Sequence, residues 1–245
     1  MSNSVQKDPL LAHDLALLPE EADSFGKTPE RQYYRRGRLF IKRSLRPSEY
    51  MTTHKGTIYT PRLGKERLQN EGKCLQFIRE TTNIPVPKVY ASFDVDDSHF
   101  LITDYIEGVG MNELSEDHKR LVWPEVDQHL ATLHSLKSNK IGGPSSEIVI
   151  PPHRVMDCNG RDYWSQKMSK KEEYVFCHND LSQHNIIVDP VTLKINAIID
   201  WEYAGFFPLF FEAPFYKRLG PSAALEGESD DTARLIEFLE DEGVS

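Results

Sequence analysis

Residues 174–202 constrain this chain more than any other stretch. Tyr174-Val175-Phe176 is a short apolar run, and it leads into Cys177-His178-Asn179-Asp180-Leu181-Ser182-Gln183-His184-Asn185. Ile186-Ile187-Val188 is apolar again, Asp189-Pro190 turns the chain, and residues 194–199 return to a terminal carboxylate, Asp200. Short apolar runs bounded by turn residues read as buried strands. The polar side chains are therefore confined to strand ends, where they can converge.

Two adjoining strands with the loop before them bring Asp180, Asn185 and Asp200 together. Three oxygen-bearing side chains suit a hard cation such as magnesium, which is commonly held by one or two carboxylates plus water and phosphates. On this reading Asn185 and Asp200 take the metal, and Asp180 faces an incoming hydroxyl. Two other readings exist. Cys177, His178 and His184 could form a soft-metal cluster, but a fourth ligand at suitable spacing is missing. A solvated turn would leave the apolar strand ending in Asp200-Trp201 unexplained.

His178, Asp180 and Asn185 spell His-x-Asp-x-x-x-x-Asn, and Ile199-Asp200-Trp201-Glu202 follows, with Asp200 fifteen residues after Asn185. This pattern resembles the catalytic loop and metal-binding aspartate of the protein-kinase-like fold, in its aminoglycoside phosphotransferase and small-molecule kinase family. The likeness runs from about Leu39 to Phe211 and is closest to short fungal-type members. It implies an α+β, two-lobed fold, with a small antiparallel-sheet N-lobe and a shortened, mainly helical C-lobe. The implied boundaries are an extension over 1–30, the nucleotide-binding N-lobe over 31–105 and the C-lobe over 106–245. The implied ligands are ATP and Mg2+, with Asp180 as base or hydroxyl-orienting group and Asn185 and Asp200 as metal ligands. Lys42, closing the apolar run Leu39-Phe40-Ile41, stands where the family keeps its phosphate-binding lysine. Asp104, Tyr105 and Ile106 stand at its hinge, where adenine bonds to backbone.

The helix expected over 65–82 supports the likeness independently. Leu68, Glu71, Leu75 and Ile78 fall on one face, at spacings of three, four and three. A carboxylate in a core-facing stripe is costly unless paired; the resemblance supplies Lys42 as its partner. Asn83-Ile84-Pro85-Val86-Pro87 then ends the helix.

Elsewhere the pattern predicts a strand, a basic turn around Gly37 and a second strand over 33–44, then further strands over 88–93 and 100–103. It predicts a long helix over 114–137 with the stripe Val122, Val126, Leu130 and Leu133, a loop over 138–152 and a short helix over 232–240. The stretch 153–171 has no clear period, and Trp164 is its expected anchor. Leu10, Leu11, Leu15 and Leu18 fit either a short docking helix or a loose tail. The aromatic run after Glu202 is read first as core packing, next as a substrate pocket.

A formal charge of −9 over 245 residues argues against a nucleic-acid binder. Arg31, Arg35, Arg36, Arg38, Lys42, Arg43 and Arg46 still crowd one region that could attract phosphates, or could merely protect a strand edge. Three cysteines without a paired motif favour a reducing compartment, and no apolar run reaches about 18 residues. The expected location is cytoplasmic, with no membrane contact. The expected function is ATP- and Mg-dependent phosphoryl transfer to a hydroxyl of a small-molecule acceptor. The alternative is a nucleotide-binding pseudokinase or scaffold, favoured by the lack of a multi-glycine loop before Lys42. Neither the acceptor nor the oligomeric state is readable from sequence.

Overall fold

Four register-matched side chains, Tyr34, Ile41, Ile102 and Ala91, form one row across four neighbouring strands. Directly opposed residues point to the same face of a sheet, so this row is the spine of the sheet's core, joined by Phe100 and Phe93. The computed structural model describes residues 19–145 and 148–241. Leu10, Leu11, Leu15 and Leu18, which fit either a docking helix or a loose tail, lie outside them.

The sheet contains β1 (Ser24–Lys27), β2 (Arg31–Arg36), β3 (Leu39–Ser44), β4 (Val89–Val95) and β5 (Ser98–Asp104), in the antiparallel order β1-β2-β3-β5-β4. Gly37 turns the β2–β3 hairpin at φ 58°, a left-handed conformation that glycine adopts at little steric cost. The neighbouring row, Tyr33, Lys42 and Leu101, faces the other way. Lys42 therefore lies on the sheet face opposite the Ile41 core.

The basic region does not act as one patch. Arg43 shares the face of Ile41, is buried, and makes two 2.6 Å bonds to Glu49, whose carboxyl is held at about 2 chiefly by those bonds. Arg31 is buried as well, and Arg36 reaches Glu20 at 3.3 Å. Alternation along each strand separates residues that look contiguous in sequence.

Helix α1 (Gly64–Thr81) buries Leu68, Leu75 and Ile78 as its periodicity predicts. A second, polar stripe of Arg67, Asn70, Glu71 and Cys74 is buried beside them. Arg67 meets Glu30 at 2.6 Å, and Tyr59 donates to the same carboxylate at 2.8 Å.

Two compact units are formed. One comprises the described residues through Leu68 with Val89–Tyr105; the other comprises Gln69–Lys88 and the described residues from Ile106 onward. The second unit contains β6 (Val109–Gly110), α2 (Glu116–Ser135), β7 (Lys137–Ser138), α3 (His153–Cys158), β8 (Tyr174–Cys177), β9 (Ile186–Val188), β10 (Ile195–Ile198), β11 (Gly205–Phe207) and α4 (Thr232–Glu240). Its strands make two small sheets, β10-β9-β6 and β11-β8-β7. Helix α2 is capped by Ser115, which accepts the His118 N–H at 3.3 Å, and buries Val122, Val126 and Leu133. Gly108, at φ 139°, runs so close to β9 that an added Cβ would lie 2.7 Å from the Val188 carbonyl oxygen.

Trp164 is buried, as expected of an anchor. Most of the aromatic run is core: Trp201, Tyr203, Phe206, Phe207 and Phe211 are buried, whereas Leu209 is exposed. Among the described residues no helix is long and apolar enough to cross a membrane.

Candidate active site

The pairing of β9 with β10 sets Ile198 opposite Ile186, so the residues just outside this pair are neighbours too. Ile199 donates its N–H to the Asn185 carbonyl at 2.9 Å, which brings the start of Asp200 to Asn185. The Asn185 amide turns back to the loop, donating to the Asp180 carbonyl at 2.7 Å and the Asp180 carboxylate at 3.2 Å. Asp180, Asn185 and Asp200 are thus assembled within one unit.

Burial, and then the charge of Asp200, push the Asp180 carboxyl up to about 7. A buried carboxylate beside another is a site of negative potential that a cation relieves. Among the described residues no three His, Cys, Asp or Glu side chains are grouped to hold a metal by themselves. One carboxylate, Asp200, and the amide oxygen of Asn185 instead match a magnesium ion completed by water and phosphate oxygens. The donor set therefore fits magnesium better than zinc.

Backbone strain marks the same place. Asp200 sits at φ 68°, ψ 53°, and Asn179 at φ 67°. A non-glycine residue there costs about 1–2 kcal/mol and persists only where its surroundings over-determine it. His178 supplies part of that determination. Its Nδ1 accepts the Asp180 N–H at 3.3 Å, so Nε2 carries the proton donated to the Ile199 carbonyl at 3.0 Å. The ring packs on Trp201, with centroids 4.5 Å apart, which makes His178 a brace between loop and strand.

Three groups around the loop carry no sequence motif. Glu212 is half-buried and accepts the His178 backbone N–H; desolvation pushes its carboxyl up to about 7 against the lowering influence of that bond and of Arg154. Arg154, also buried, donates to the Asn179 carbonyl at 3.3 Å and the Phe211 carbonyl at 2.9 Å, and holds Asp231 through two 2.9 Å bonds. His153 Nδ1 stands 4.0 Å from the Asp180 carboxylate. The only sequence signal for Glu212 was a charge inside Phe210-Phe211-Glu212-Ala213-Pro214. For Arg154 and His153 there was none, because their partners are up to 77 residues away.

The remaining expected residues are placed as follows. Lys42, Asp104 and Tyr105 belong to the first unit; Glu71 and Ile106 belong to the second. The Asp104 carboxylate accepts the Tyr90 hydroxyl at 2.8 Å, and its register opposite Leu39 puts it on the Ile41 face, away from Lys42. Tyr105 packs against Phe40 and Phe25, beneath the Arg35 guanidinium 3.6 Å from its ring centre. Glu71 is buried in α1.

Residues 102–213 match the family model for choline/ethanolamine kinases. An aminoglycoside 3'-phosphotransferase of Streptomyces fradiae is 27% identical over a match covering 54% of this chain and 57% of that protein. A probable choline kinase 1 of Arabidopsis thaliana is 31% identical, over 37% of this chain and 22% of its own length. The chain thus spans little more than half of the first relative and less of the second. Among solved structures, aminoglycoside-3'-phosphotransferase of type VIII aligns over 96% of this chain and 92% of its own, with 16% identity and a TM-score of 0.50. The aminoglycoside phosphotransferase APH(3'')-Id of Streptomyces rimosus, solved with ADP and streptomycin, aligns over 80% and 78%, with 18% identity and a TM-score of 0.53. By the sequence matches and the His178, Asp180, Asn185 and Asp200 pattern the chain is similar to aminoglycoside phosphotransferases and choline kinases, and it shares the fold of the solved aminoglycoside phosphotransferases.

Proposed function

We propose that this protein is an ATP- and magnesium-dependent phosphotransferase that moves the terminal phosphoryl group to a hydroxyl of a small molecule. The observation that carries the reading is the convergence of Asp180, Asn185 and Asp200, with Asp180 bonded to Asn185 and its carboxyl raised by burial and then by the charge of Asp200. Asn185 and Asp200 would hold the magnesium, whose role is to neutralise charge on the phosphoryl oxygens. Asp180 orients the acceptor hydroxyl and takes its proton. Lys42 binds nucleotide phosphates, and Glu71 fixes Lys42. Tyr105 and Ile106 wall the adenine, which bonds to backbone around Asp104. Catalysis on this assignment is positioning plus electrostatics. The proposed location is cytoplasmic.

One observation favours a nucleotide-binding scaffold without turnover. In the turn between β1 and β2 the N–H groups of Glu30 and Arg31 donate to Thr28 Oγ1, at 3.3 and 3.0 Å. A glycine-rich turn would offer such groups to phosphate. Against the scaffold stands the complete set of two carboxylates and one amide, Asp180, Asp200 and Asn185, which nucleotide binding alone does not require.

Thermal-shift titration with ATP, with and without magnesium, tests the proposal. A ligand that binds only the folded state stabilises it by about 2.7 kcal/mol at a hundred-fold excess over its dissociation constant. Magnesium should be needed for most of that gain, and Asp200→Ala should lose it. Asp189→Ala should keep it, because Asp189 only closes a turn through the Val191 and Thr192 N–H groups. Stabilisation equal in all three proteins and independent of metal would support the scaffold. Incubating wild type and Asp180→Asn with a metabolite extract and labelled ATP then reveals the acceptor as a phosphorylated species formed only by wild type.

A further inference from the structure

Three consecutive carbonyls after Asp200 are each taken by a buried side-chain amide. The Asn70 amide nitrogen donates to the Glu202 carbonyl at 3.1 Å and to the Ala204 carbonyl at 2.9 Å. Between them, the Tyr203 carbonyl accepts the Asn179 amide at 2.8 Å. Asn70 is 3% exposed, and one helical turn further along α1 the Cys74 thiol also reaches the Ala204 carbonyl, at 3.5 Å.

The turn so gripped already closes by itself, through the Ala204 N–H to the Trp201 carbonyl at 3.1 Å. Bonds added from outside therefore set its orientation more than its shape. The residue that enters the turn, in the left-handed conformation, is Asp200. A side-chain amide is suited to this task because one planar nitrogen carries two N–H groups and can bridge two carbonyls. The Oδ1 atoms of Asn70 and Asn179 are buried without a hydrogen-bond partner among the described residues. Both positions thus keep their donors while leaving an acceptor unsatisfied, which is costly for a purely structural residue.

We propose that Asn70 is a positioning residue for Asp200, and that it ties the metal-binding segment to the helix that carries Glu71. The inference rests on the phosphotransferase reading above. The Asn70 amide nitrogen is committed to two backbone carbonyls. Its effect passes through the Glu202 and Ala204 carbonyls to the backbone of Asp200, so that Asp200 and α1 are set as one piece. Side chains that orient a metal ligand in this way typically change metal affinity by about 10–100-fold when removed.

The test is the magnesium concentration giving half of the ATP-dependent rise in Tm, measured on wild type, Asn70→Ala, Asn70→Ser and Val126→Ala. Asn70→Ala should raise this midpoint by about tenfold. Asn70→Ser, which retains one donor, should fall between Asn70→Ala and wild type. Val126→Ala opens a cavity in the core face of α2, so it should lower the starting Tm and leave the magnesium midpoint at the wild-type value. A wild-type midpoint in Asn70→Ala, whatever its starting Tm, overturns the inference. If Asn70→Ala does not fold, a wild-type midpoint in Asn70→Ser overturns it in the same way. A wild type with no magnesium-dependent rise would bring down the phosphotransferase reading and this inference with it. A magnesium-dependent wild type with unmoved Asn70 variants would bring down this inference alone.

Discussion

Asn185 donates its side-chain amide to both the backbone carbonyl and the carboxylate of Asp180, at 2.7 and 3.2 Å. With its NH2 group committed there, the Asn185 oxygen is the atom left to face a cation, whereas Asp180 keeps one oxygen for an acceptor. The five-residue spacing is thus a division of labour. Each side chain prevents the other from exchanging roles.

Asp180→Asn should therefore separate transfer from binding. Loss of the positioned base is expected to lower turnover by ~10²-fold or more, with Mg-ATP stabilisation retained. In metal-free protein near pH 8 the same variant should be more stable than wild type by ~2–4 kcal/mol, because it removes a half-buried carboxylate beside Asp200. Chemical denaturation in a metal chelator measures the gain. A variant less stable than wild type would show that Asp180 is better solvated than its burial indicates.

Acidity should leave a signature in stability as well. Burial raises Asp180 from an ordinary 3.8 and Glu212 from an ordinary 4.5, each to about 7. Acids of raised pKa bind protons more tightly in the folded state. Their favourable contribution is full below the unfolded values and is lost as pH rises through about 7. Metal-free protein should lose stability across that window, and Glu212→Gln should flatten part of the fall. Melting curves taken from pH 4.5 to 8 in chelator decide this; identical slopes for wild type and variant would remove Glu212 as a contributor.

Arg154 should be the structural linchpin of the loop. Asp231→Ala would leave its buried guanidinium without its carboxylate partner, and breaking a buried pair in that way costs about 3 kcal/mol. Urea unfolding monitored by tryptophan fluorescence would report it. A loss below ~1 kcal/mol, the range of exposed ion pairs, would mean that solvent or neighbouring Asp230 replaces the partner.

Asp189→Ala supplies a contrast, since Asp189 sits in the exposed turn between β9 and β10 and its carboxylate accepts two backbone N–H groups, at 2.8 and 2.9 Å. Its loss should lower the melting temperature slightly, as removal of a local cap does, and leave the magnesium dependence of the ATP-bound protein unchanged. A change in magnesium dependence in this variant would show that the turn communicates with Asp200.

Short-range physics made a good part of this protein legible in its sequence. The α1 stripe of Leu68, Leu75 and Ile78, the β2 and β3 strands around Gly37, and the α2 stripe follow from periodicity and turn chemistry, which act over a few residues. Asp180, Asn185 and Asp200 were legible for the same reason, since one hairpin and one loop join them. Other features depended on which distant segments pack together. Alternation across paired strands put Arg43 and Asp104 on the face opposite Lys42 and dispersed an apparent basic patch. The polar stripe beside Glu71 became meaningful only when Asn70 met carbonyls 132 and 134 residues further along the chain. Burial raised Glu212 and enclosed Arg154, and no local pattern records burial of a charge. Local propensity specifies elements and their ends; desolvation and long-range hydrogen bonding are set by tertiary contact, and they decide which polar side chains brace the site.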